Sequence, residues 1–142
     1  MNPSTIEPVP ITPLPCEEIV LRSLLKKNWF DEETKRIKAD AFIRDPRKDV
    51  DGLSVNIHST TDVPLWLAEF NRSFGADTLH SGRIRMLPGL DVAQTDEDVA
   101  DQLNHAVITG VPFADDEPKL AESLASRLAA MSRTLDRTKR QR

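Results

Sequence analysis

The chain has 142 residues, 39% hydrophobic and 30% charged, with a net charge of −4. That length fits one domain with its own core, and no stretch nears the roughly 18 apolar residues of a membrane helix. The charge is uneven: Arg127, Arg133, Arg137, Lys139, Arg140 and Arg142 oppose only Asp136 after position 126, giving +5 there and −9 before. An acidic body with a basic end argues against a protein that grips nucleic acid over its whole surface.

Residues 1–15 carry Pro3, Pro8, Pro10, Pro13 and Pro15, half of all the prolines. Proline lacks an N–H and favours extended backbone, so a flexible leader is expected, with a Pro10-x-x-Pro13 spacing inside it. It has no basic start or apolar stretch of a secretory signal, and Cys16 is the only cysteine, so a reducing cytosol is expected. Structure is expected to begin at Cys16. Ile19–Ser23 reads as a strand or a short helix, Asp31–Glu33 as a turn or one helical turn, and Arg44–Asp51 as a charged loop broken by Pro46.

Leu53, Val55 and Ile57 alternate with Ser54 and Asn56, the period of a half-buried strand. Ser59 to Asp62 offers caps and Pro64 an early helical position for a central helix over Leu65–Phe74, stopped by Gly75. Thr78–Leu87 reads as a strand ended by Pro88-Gly89, with Ile84–Leu87 in the same sheet as Leu53–Ile57. Leu90–Ala93 reads as a brief third strand or an edge, Gln94–Asn104 as an acidic loop or short helix, and His105–Val111 as a buried strand. Pro118 opens a last helix whose Leu120, Leu124, Leu128, Met131 and Leu135 form one stripe. The expected fold is α+β: a small mixed sheet of short strands packed by a central and a C-terminal amphipathic helix. The expected organisation is a leader at 1–15, one domain at 16–135 and a basic tail at 136–142.

The three histidines, His58, His80 and His105, each adjoin a strand-like run, but none has metal-ligand spacing, and no metal or cofactor is expected. Arg83 and Arg85, one residue apart on a strand, would share a face, either neutralised by Asp91, Asp96 and Asp98 or forming an anion cradle. GxxxxGK[ST], GxGxxG and GxSxG are all absent, which removes the common nucleotide-loop and nucleophile-elbow readings. Arg133, Arg137 and Arg140 place binding capacity at the basic end, where contacts to an acidic partner would weaken with salt.

The segments GLSVNI, LHSGRIRMLPGLDV and NHAVITGVP, followed by a helix, resemble a family of small uncharacterised bacterial proteins across about Ile19 to Leu135. The resemblance implies a cytoplasmic prokaryotic protein and carries no activity. Arg22 on one strand and Ser54 on a later one also resemble the Arg and Ser of ADP-ribosyltransferases, without the ExE glutamate pair. Three functions follow as expectations. The first is a non-enzymatic accessory or regulatory module that binds a protein partner through Arg83, Arg85, Arg133, Arg137 and Arg140. The second is a small toxin-like transferase working through His105, His80, Arg83, Arg22 and Ser54. The third is a nucleic-acid-associated protein using the basic tail alone. No membrane partner is expected.

Overall fold

A computed structural model describes residues 11–24, 26–47, 49–50, 52–61, 76–95 and 105–136. The strands are β1 (Ile11–Pro13), β2 (Ile19–Ser23), β3 (Phe30–Asp31), β4 (Arg36–Ile37), β5 (Leu53–Ile57), β6 (Ala76–His80), β7 (Asp91–Thr95), β8 (His105–Thr109) and β9 (Arg133–Asp136). Seven form one sheet in the order β1-β7-β8-β5-β2-β6-β9, and β3 and β4 form a separate hairpin. All described pairings are antiparallel. A short helix spans Ser81–Ile84 and a long one Pro118–Met131, so the chain is α+β.

The register sorts side chains onto two faces. Val20 pairs with Ile57 and Leu79, Leu53 with Ile108, and Val55 with Ala106. These residues join the core cluster together with Leu124, Ala125, Leu128 and Ala129 of the long helix. The helix lies against a 3-10 turn at Ala39–Phe42, whose Ala41 and Phe42 are fully buried. On the opposite face Leu21, Ala93 and Val107 are buried as well, so β2, β7 and β8 are apolar on both sides.

The Leu53–Ile57 strand is present as its alternation predicts. Ile19–Ser23 resolves as a strand, because Val20 and Leu21 bury opposite faces between β5 and β6. The strand at His105 stops at Thr109, since Gly110 takes a φ of 96°. A Cβ at Gly110 would collide with the Gly89 carbonyl oxygen, so only glycine lets these two turns meet.

Three expectations need correction. Ordered structure precedes Cys16: β1 pairs with β7 through Ile11–Thr95 to Pro13–Ala93, and Leu14 is buried. The same pairing makes Asp91–Thr95 an interior strand, the first of the two readings open for that segment. The Thr78–Leu87 strand ends at His80, and Ile84–Leu87 is not a strand. Arg85 N–H donates to Ser81 O, Met86 N–H to Arg83 O, and Leu87 N–H to Ile84 O, so the chain coils and buries Ser81, Ile84 and Leu87 at intervals of three. Finally, the long helix ends at Met131 and Leu135 enters β9. Its buried stripe runs through Ala121, Leu124, Ala125, Leu128 and Ala129, whereas Leu120 is 43% exposed. Ala121 and Ala125 carry the buried face between the leucines, and Leu120, in the helix's first turn, falls outside it. The expected helix at Leu65–Phe74 and the residues Arg137 and Arg140 lie outside the described residues.

Candidate binding groove

The arginines divide into those the fold uses and those it leaves exposed. Arg22 is 8% exposed and lies inside the core. Its Nη1 donates to Asp49 Oδ1 at 3.1 Å and to Ser54 O at 2.9 Å, its Nη2 to Asp49 Oδ2 at 3.3 Å, and its Nε to Ala41 O at 2.8 Å. Burial pushes the Asp49 carboxyl up, but the Arg22 charge and hydrogen bonds from Arg22, Asp45 N and Ser54 N outweigh it, holding the carboxyl below its ordinary range. Arg22 is thus a buried anchor that holds Asp49 against β2 and β5.

Arg85 is likewise engaged. Its Nε donates to Asp91 Oδ1 at 2.6 Å, its Nη2 to Val92 O at 2.9 Å, and its Nη1 to Cys16 Sγ at 3.4 Å. The Arg85 hydrogen bond lowers the Asp91 carboxyl. Arg83 and Arg85 do not form the expected two-arginine face, because the helical turn from Ser81 sends them in different directions. Arg44 donates to Asp49 O, Val50 O and Val111 O and stands 3.7 Å over the Phe113 ring.

Arg83 and Arg133 differ. Both are exposed, and neither side chain makes an ion pair or hydrogen bond among the described residues. They meet in an open groove of about 560 Å³ lined by Lys35, Arg36, Ile37, Arg83, Arg133 and Thr134 and by the turn that ends the long helix, Ala129 to Ser132. None of the described lining residues is acidic. Four cations around one concavity repel each other and raise the local positive potential. Arg36 Nη2 also donates to Ala130 O at 3.0 Å, and Ser132 Oγ to Ala129 O at 2.9 Å, so the helix's last carbonyls are covered from the groove side.

Lys35 and Arg36 reach the groove through the β3–β4 hairpin, which the sequence alone does not mark as a binding element. Asp31 Oδ1 accepts from Glu33 N and Thr34 N, and Lys35 sits at φ 60°. Lys35 makes a loose, exposed contact of 3.7 Å with Glu32, which leaves most of its charge available.

Below the groove, Asp77 is fully buried on β6 and accepts from Thr134 Oγ1 at 2.8 Å, while its Oδ2 has no partner among the described residues. Burial raises its carboxyl above the ordinary value, and the Thr134 hydroxyl pulls it partly back. A raised acid disfavours folding once ionised: its penalty is absent below the ordinary carboxylate value and grows as pH rises through the raised one. The stability of Asp77→Asn relative to the wild type is therefore expected to improve as pH rises from about 3 to about 8. A difference that stays constant across urea melts in that range would show that Asp77 titrates alike folded and unfolded.

The remaining candidates lie elsewhere. His105 Nδ1 is 2.9 Å from Thr95 Oγ1, and its Nε2 is 3.3 Å from Ser54 Oγ, on the sheet face opposite the core cluster. Ser54 is fixed from behind, its N–H on Asp49 Oδ1 and its carbonyl under Arg22. Thr95, which the sequence reading did not single out, joins this pair because β7 and β8 are neighbours. His80 is exposed at the end of β6, and His58 follows β5 with its N–H on Ile19 O. No metal-holding group of three His, Cys, Asp or Glu occurs among the described residues, and none of their helices is long and apolar enough to cross a membrane.

Comparison with protein-family models, with curated proteins and with solved structures gives no match for this chain.

Proposed function

We propose that this protein is a non-enzymatic accessory or regulatory module of a cytoplasmic bacterial complex, and that it docks an acidic surface of a protein partner in the groove. The observation that carries this reading is the contrast between arginines. The fold engages Arg22, Arg36, Arg44 and Arg85, while Arg83 and Arg133 are left exposed in one concavity with Lys35 and Arg36. Unpaired guanidiniums contribute little to folding and suit carboxylates in a bidentate geometry. The −9 charge of residues 1–126 counts against a nucleic-acid ligand.

The test is co-purification of the full chain with its native partner. Arg83→Glu with Arg133→Glu should leave the melting temperature within about 2 °C of the wild type, as expected for exposed residues. The same pair should weaken partner binding by at least about tenfold, and wild-type binding should weaken as salt rises. Partner retention equal to the wild type in the double variant would overturn the reading.

The Ser54–His105 contact supports a second, enzymatic reading, in which His105 takes the Ser54 proton. It differs in outcome: Ser54→Ala and His105→Ala would each remove the biological effect in a complementation assay while the groove variants stayed silent.

A further inference from the structure

We propose, resting on the groove reading, that the partner presents an extended acidic segment that adds to the sheet as a strand along the outer edge of β9. β9 is the last of the sheet's described strands. Its inner edge pairs with β6 through Thr78–Arg133, Asp77–Thr134 and Ala76–Asp136, and no described strand pairs with its other edge. An edge strand leaves a row of backbone N–H and C=O groups that a second chain satisfies. The first two residues of β9, Arg133 and Thr134, are also groove residues. A chain pairing there starts beside the groove, and its alternate side chains meet Arg133 on one face of the sheet and Thr134 on the other.

The charges decide which strand is admitted. Cationic side chains at an edge turn away basic and apolar strands, and here they favour one with carboxylates at alternate positions. A compact phosphate fits less well. The groove holds the C-terminal end of the long helix, where the macrodipole is negative. A peptide brings N–H donors along with its carboxylates, whereas a phosphate brings acceptors alone.

The experiment uses the full chain and a labelled synthetic peptide of about ten residues with alternating glutamate and threonine. Two isomers are compared with it, one N-methylated at every glutamate amide and one at every threonine amide. An edge strand uses the amides of every second residue, so one isomer should lose about tenfold or more in affinity while the other binds like the parent. Arg83→Gln and Arg133→Gln should each weaken the parent peptide by about tenfold. Strand addition is overturned if both isomers match the parent, if the parent does not bind, or if inorganic tripolyphosphate binds more tightly with the same dependence on Arg83 and Arg133. In those cases the groove reading stands as long as Arg83→Glu with Arg133→Glu still releases the native partner. If that double variant retains the partner, the groove reading falls independently of the peptide result.

Discussion

Arg22→Ala is expected to lower stability by about 3–5 kcal/mol, enough to unfold a marginal domain of this size. The loss comes less from the ion pair itself than from what remains. Asp49 is 1% exposed, and without the guanidinium its charge would stay buried with only the Asp45 and Ser54 amides for company. Removing both partners with apolar replacements, Arg22→Met with Asp49→Leu, should cost less than the sum of the two single changes. The pH dependence provides a separate check. Asp49 has a lowered carboxyl, so its contribution is fully present above the ordinary carboxylate value of 3.8 and is lost as pH falls through the lowered folded value. Acid-induced loss of stability in that window should be weaker in Arg22→Ala. Urea melts that show Arg22→Ala within about 1 kcal/mol of the wild type would mean that the pair is incidental.

Leu128→Ala is expected to cost about 2–5 kcal/mol, with Leu124→Ala at the lower end of that range. Leu128 is fully buried and Leu124 is 3% exposed, both in the cluster that joins the long helix to the sheet. Leu120→Ala provides the internal control: at 43% exposure it should shift stability by less than about 1 kcal/mol, although all three leucines look alike in sequence. Equal losses at Leu120 and Leu128 in chemical denaturation would contradict the helix orientation.

That contrast shows where the sequence was readable. Leu53–Ile57 was legible because its core-facing side alternates with Ser54 and Asn56, so period and burial coincide. The segment after His80 was misread because Ile84 and Met86 look like alternating strand residues. Met86 is 81% exposed, and the period that matters is three, through Ser81, Ile84 and Leu87. The last helix was legible in its start at Pro118 but not in its end: Leu135 continues the apolar spacing, whereas Ser132 turns to extended backbone and starts β9. The site was only half visible. Arg83 and Arg133 stand out as charges, but Lys35 and Arg36 reach them only through a hairpin far away in the chain. Local pattern likewise cannot reveal that Arg22 is taken by Asp49, which lies 27 positions on.

The strand order also sets how the molecule can be approached. Among the described strands β1 and β9 are outermost, six inter-strand steps apart, and at about 4.8 Å per step they stand roughly 29 Å from each other. Ile11–Pro13 therefore lies on the flank opposite the groove and Arg133–Asp136 beside it, so a small partner reaches one flank at a time and the two are separate addresses on this protein.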